Sequence, residues 1–158
     1  MINKQLIKAV LLTGLIAGTL DAAAASVQFM IKSGGDNPLK VWRYVASVAF
    51  GPEARTKDLY TMAGWGLLFH YCIAMSFTLL FFLCYRPIKR LLANKFVAGI
   101  VYGIFVWCVM NLIVVRIALG TGIKLQVESF LIGLGILIIA IGLPVSLLAD
   151  RYYSKKIN

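Results

Sequence analysis

Asp21 lies in an apolar run from Leu6 to Ile31 that carries, apart from Lys8 near its start, no other formal charge. A carboxylate placed that deep must be protonated, paired or hydrated, and each outcome has chemical consequences. His70 and Asn111 lie inside two further apolar runs, with Arg116 and Glu128 nearer the ends of theirs. Imidazole titrates near neutral pH, so an Asp21–His70 pair would handle protons. Together with Asn111 it would form an intramembrane cluster that binds or transports a proton, a cation or a small polar solute. The same groups would also serve as hydrogen-bonding posts between helices, worth about 1 kcal/mol or less per bond.

Aspartate, glutamate and histidine also suit a divalent transition metal. The chain has one histidine, and Cys72, Cys84 and Cys108 show no CxxC spacing, so these cysteines read as small apolar packing residues and no metal is expected. A bis-histidine haem would need His70 from two copies of the chain. No GxSxG elbow, Walker loop, GxGxxG turn or HExxH pair is present. No catalytic residue is therefore assigned, no cofactor is expected, and an enzyme reading would rest on Asp21 and His70 alone.

The elements that must position these groups follow from composition. With 61% apolar residues, 14% charged residues and a mean hydropathy of +0.87, the chain lies outside the range of soluble domains. Four runs, Leu6 to Ile31, Thr61 to Tyr85, Phe96 to Leu119 and Val127 to Ala149, exceed the roughly 20 residues that a helix needs to cross a bilayer. They lack the alternation of barrel strands, and a bilayer offers no water to unpaired backbone groups. The expected fold is all-α, a transmembrane four-helix bundle forming a single integral membrane domain, without internal repeats. Lys4, Lys8 and the alanines from Ala22 to Ala25 resemble a secretory signal, but the apolar run continues through Val27, Phe29, Met30 and Ile31. An uncleaved first span is expected.

Placing both termini in the cytoplasm puts Lys4, Lys8, Arg86, Lys89, Arg90, Lys95, Arg151, Lys155 and Lys156 inside. Lys32, Lys40, Arg43, Arg55, Lys57, Arg116 and Lys124 then lie outside, together with Asp36, Glu53, Asp58 and Glu128. This nine-to-seven bias follows the positive-inside preference. The net charge of +10 then reads as topology and as attraction to anionic lipids at the cytoplasmic face, not as a nucleic-acid footprint.

Counted from the outer helix ends, Asp21, His70 and Asn111 lie roughly 15, 14 and 12 Å deep at about 1.5 Å per residue. Each lies on a stripe of small residues of the kind that lets membrane helices approach closely. These stripes are Gly14, Gly18, Asp21 and Ala25; Ala63, Gly66, His70 and Ala74; and Gly99 and Gly103 leading to Asn111. The fourth run offers Glu128, Gly135, Gly142 and Ala149.

The longest loop contains a helix of its own over about residues 38–50, with Asn37 as N-cap, Pro38 at the first helical position and Gly51 as the stop. Leu39, Trp42, Val45, Ala46 and Ala49 form an apolar face, with Lys40, Arg43 and Ser47 opposite, as in an interfacial helix that seats Trp42 and Tyr44 at headgroup level. Alternatively it is a lid from which Arg43 reaches Asp21 or Glu128.

The combination of Gly18-Thr19-Leu20-Asp21, the Pro38 helix with Arg43 and Ala46-Ser47, Leu68-Phe69-His70, Val101-Tyr102-Gly103 and Met110-Asn111 resembles a family of small uncharacterised bacterial four-span integral membrane proteins. The resemblance covers most of the chain up to the third span. It implies an inner-membrane location and brings no established activity. Such proteins tend to carry a proline where this chain has Arg116, which reads as a snorkelling interface anchor or a ligand-binding group. Pro144 reads as a tolerated kink. Two functional classes follow. One is a binding or transport protein using Asp21, His70, Asn111, Glu128, Arg43 and Arg116, as one copy or as a homo-oligomer. The other is a non-catalytic scaffold or accessory subunit, with a membrane enzyme or redox protein a distant third.

Overall fold

A computed structural model describes residues 4–92, 94–119 and 127–154; Lys124, Lys155 and Lys156 of the charge pattern lie outside these. The described residues are all-α. Helices α1 (Lys4–Lys32), α2 (Leu39–Phe50) and α3 (Leu59–Leu92) are followed by α4 (Lys95–Cys108), a π-helical turn (Val109–Val114) and α5 (Val115–Leu119). The chain then forms α6 (Val127–Leu137), a second π turn (Ile138–Gly142) and α7 (Leu143–Ser154). Four continuous stretches are long and apolar enough to span a membrane: Lys4–Lys32, Leu59–Leu92, Lys95–Ile117 and Val127–Ser154. This agrees with the four runs read from the sequence.

The spans run up and down. The start of α1, the end of α3, the start of α4 and the end of α7 share one end, where Leu6, Tyr85, Ala98 and Ala149 join one apolar core. At this terminal end Asp150 accepts a hydrogen bond from the Tyr85 hydroxyl and pairs with Lys89 at 2.6 Å and Lys95 at 3.5 Å. Tyr153 stacks on Tyr85, with ring centres 5.0 Å apart, and donates to the Phe82 carbonyl at 2.7 Å. Ser146 donates to the Lys95 carbonyl at 2.7 Å. Asp150 thus pairs with Lys89 and Lys95 of the basic stretch from Arg86 to Lys95, which has no acid of its own.

Small residues decide which faces meet, because most of each helix is apolar all round. Leu11, Leu12, Leu15 and Leu20 are exposed for lipid, while Val10, Gly14, Ala17 and Gly18 are buried. A methyl group on Gly14 would strike the Met75 sulfur, and one on Gly18 would meet Tyr71 at 3.1 Å and Ala74 at 3.3 Å, so the first stripe faces α3. The third and fourth spans cross where Gly99 and Gly103 oppose Gly142 and Ile138.

The fourth stripe does not hold along its length. Gly142 and Ala149 are buried, whereas Glu128 is exposed and Gly135 faces open space. In the intervening π turn Leu143 N–H donates five residues back, to the Ile138 carbonyl. One extra residue in a turn rotates the faces on either side by about 100°. Pro144 explains the turn: it has no N–H to give to a carbonyl four residues back, and its ring would crowd it.

Helix α2 forms as read. The Asn37 carboxamide oxygen accepts from Leu39 N–H at 2.9 Å, Pro38 already has helical angles, and Gly51 ends the helix at φ 84°. The helix lies on α3 at close range, for a methyl group on Gly66 would collide with the Trp42 carbonyl. Two expectations for it change. Trp42, expected at headgroup level, is buried with its ring against His70. Ser47, assigned to the polar face, is fully buried because its hydroxyl donates to the Tyr44 carbonyl at 2.6 Å and accepts from Arg55 Nε at 3.2 Å.

The loop around α2 is held by carboxylates. Asp36 pairs with Lys40 at 2.6 Å, and this contact holds its carboxyl below the usual aspartate range. Asp58 caps α3 by accepting from Thr61 N–H at 2.8 Å, which lowers its carboxyl likewise.

Candidate functional site

Packing of α1 on α3 brings Asp21 and His70 together, with Asp21 Oδ2 3.9 Å from His70 Nδ1. Both are largely enclosed, at 15% and 13% side-chain exposure. The other imidazole nitrogen, Nε2, lies 2.9 Å from the Gly18 carbonyl oxygen. A carbonyl can only accept, so Nε2 carries hydrogen and Nδ1 is turned to the carboxyl group. Two arrangements of one proton are then compatible with the pair: a carboxylic acid facing a neutral Nδ1, or a carboxylate facing Nδ1–H. At 3.9 Å the contact is too long for a direct hydrogen bond and suits a bridging water or a small approach.

Aromatic rings hold the imidazole. Trp42 from α2 meets it edge-on at 5.1 Å, and Tyr71 at 5.5 Å. The Tyr71 hydroxyl is bonded to Thr19 at 2.9 Å, a second tie between α1 and α3 one turn from the pair.

The pair borders a cavity of about 490 Å³ between the four spans and α2. Asn111 and Arg116 line the same cavity, so four of the six residues singled out from sequence converge there. Asn111 lies in the first π turn and donates to the Trp107 carbonyl at 3.1 Å, on its own helix. Arg43 and Glu128 are not among the lining residues. Arg43 donates to the Lys57 carbonyl at 3.5 Å, and Glu128 is exposed at the start of α6. Its neighbour Ser129 lines the cavity instead and receives a 2.6 Å hydrogen bond from Lys32. Among the described residues no cluster of three or more metal-ligating side chains occurs.

Sequence reasoning missed Trp42 as a wall of the site, Ser129 as a lining residue and the Gly18 carbonyl as the partner of His70. A backbone acceptor has no signature in side-chain type. Trp42 was legible only as apolar, because lipid and protein interior both accept that face.

Fold and site together define a four-span α-helical integral membrane protein with a partly polar cavity bordered by an aspartate–histidine pair. Compared with protein-family models, with curated proteins and with solved structures, the chain matches none.

Proposed function

We propose that this protein binds a small polar solute or cation in the cavity, coupled to a proton shared by Asp21 and His70, as a binding or transport protein. The observation that carries this reading is the 3.9 Å Asp21–His70 contact at the wall of a 490 Å³ cavity. That volume lies inside the roughly 300–1,000 Å³ of ordinary small-molecule sites. An enclosed ionisable pair is costly in a membrane span and is generally kept for function. Other titratable or charged groups around the pair and its cavity are Tyr71 on α3, Tyr44 on α2 and Arg116 on α5. The motif resemblance adds a bacterial inner-membrane location. The basic terminal end adds cytoplasmic termini in contact with anionic lipid. The chain acts as a single integral membrane domain.

A second reading, a non-catalytic scaffold or accessory subunit, is favoured by one bond between helices. His70 on α3 reaches the Gly18 carbonyl of α1, as helix-packing contacts do, while Asn111 is occupied by the Trp107 carbonyl of its own helix.

Thermal unfolding of the detergent-purified chain between pH 5 and 8, with and without sodium or potassium, separates the two. Wild type is expected to show a pH- or cation-dependent melting shift that both Asp21→Asn and His70→Ala remove. Altered stability without any such response in wild type or variants would leave the scaffold.

A further inference from the structure

The cavity lining is sorted by depth. At the α2 end Arg116, close to the end of the third span, and Ser129, near the start of the fourth, lie beside the roof formed by Trp42 and Val45. One level down are Asp21, His70 and Asn111. Asn111 precedes Arg116 by five positions, roughly 7 Å of helix rise. Deeper again, toward the terminal end, Phe77, Val106, Leu137 and Ile141 close the floor with apolar surface. A ligand aligned with the helices therefore meets, from floor to roof, an apolar pocket, an acid and then a guanidinium.

Asp21 and Arg116 are not paired with each other, and Asp21 is a carboxylate when the shared proton sits on His70. The ion-pair contact of Asp21 is with His70, and among the described residues none joins Asp21 to Arg116. Both line one cavity, so the space between them is where a molecule carrying both complementary charges would gain from each. Its cationic group would meet the Asp21 carboxylate and its anionic group the exposed Arg116 guanidinium. Trp42, Trp107 and Phe130 wall the same space, offering apolar aromatic surface to a side chain.

Resting on the solute-binding reading above, we infer that the ligand is a small zwitterion with an apolar tail, of the amino-carboxylate class: tail on the floor, ammonium at Asp21, carboxylate toward Arg116. The order matters. A zwitterionic phospholipid with its tail on the floor would place its phosphate below its ammonium, the reverse of the order in which Asp21 and Arg116 lie. A simple amine forgoes the contact with Arg116, and a simple carboxylate forgoes the one with Asp21.

Three probes of nearly one shape test this on the full chain in detergent by calorimetric titration: L-leucine, 3-methylbutylamine, which lacks the carboxylate, and 4-methylpentanoate, which lacks the ammonium. Leucine is expected to bind wild type about tenfold or more tightly than either truncated probe, since each loses one charge-assisted contact. Asp21→Asn is expected to weaken leucine by a similar factor, and Arg116→Gln to weaken leucine while leaving the amine unchanged. Because the comparison among probes uses wild type alone, a variant that fails to fold does not blunt the test. Equal binding of amine and leucine would overturn the carboxylate position, and equal binding of 4-methylpentanoate and leucine the ammonium position. No leucine binding, with the pH or cation response of wild type intact, would overturn the zwitterion and leave the solute-binding reading standing. Loss of both responses would remove both.

Discussion

Gly66 is where the roof of the cavity meets the bundle, and its replacement separates seating of α2 from generic helix effects. A methyl group there would collide with the Trp42 carbonyl, come within 2.7 Å of the carbonyl carbon and lie 3.1 Å from Ala46 N. These are backbone atoms and cannot rotate aside, so α2 must shift as a body. Overpacking of this kind costs about 1–3 kcal/mol, and backbone obstruction places Gly66→Ala near the upper end, at about 3. Against this, alanine is favoured over glycine within a helix by about 1 kcal/mol, leaving a net loss of about 2. Gly64, two residues earlier on the same helix, has nothing within 4 Å, so Gly64→Ala collects only the gain of about 1 kcal/mol. The two variants should differ by about 3 kcal/mol, or about 6–12 °C in melting temperature for a chain of this size. Thermal unfolding in one detergent measures the gap, and tryptophan emission reports whether Trp42 has left His70. Melting of the two variants within about 2 °C, with unchanged emission, would refute the seating of α2 on α3.

Asp150→Asn should lower stability by about 2 kcal/mol. Its bond from the buried Tyr85 is charge-assisted, while the half-exposed Lys89 partner adds little. Tyr85→Phe should cost a similar amount, and the double variant little more than either alone; an additive double variant in thermal unfolding would show that the two do not act together. Tyr102→Phe removes a donor from the Phe77 carbonyl, 2.5 Å away, and should cost about 1 kcal/mol without altering the pH response, because it lies outside the cavity lining. The Asp58 carboxyl is held below its ordinary value by Thr61, so its contribution is present above the unfolded aspartate value of about 3.9 and is lost as pH falls through the lower folded value. Below that point the amide of Thr61 should lose protection against hydrogen exchange, and an exchange profile unchanged down to pH 2 would count against the cap.

Several parts of the structure were legible because their causes are local. Asn37, Pro38 and Gly51 bound α2 whatever surrounds them, since capping geometry and backbone angles are set within a few residues. Asp21, His70 and Asn111 could be brought to one level by counting helix rise from the ends of their runs. The first small-residue stripe was readable for the same reason, with Gly14 and Gly18 marking the face that α3 approaches.

Where causes were distant, the reading ran out. In the lid alternative Arg43 would reach inward, but the loop places the Lys57 carbonyl beside it. Glu128 shared a sevenfold spacing with Gly135, Gly142 and Ala149, and the π turn before Pro144 rotated it away, leaving Ser129 on the cavity. Asp150 gave no sign of its importance because Tyr85, Lys89 and Lys95 are far away in sequence and meet it only when the terminal helix ends converge.

By itself the sequence determined that four helices cross a membrane, because apolar length and the demand for internal backbone hydrogen bonds act on each segment without reference to its neighbours. It also determined that an acid and an imidazole lie at comparable depth on two of them. Tertiary structure alone decided that these two groups face each other, that Trp42 turns inward to cover them, and that Arg116 shares their cavity while Arg43 and Glu128 do not. The physical reason is the solvent. In lipid a helix gains little from turning one apolar face inward and another outward, so hydropathy selects no face, and the choice falls to small-residue contacts and π turns formed only when helices meet.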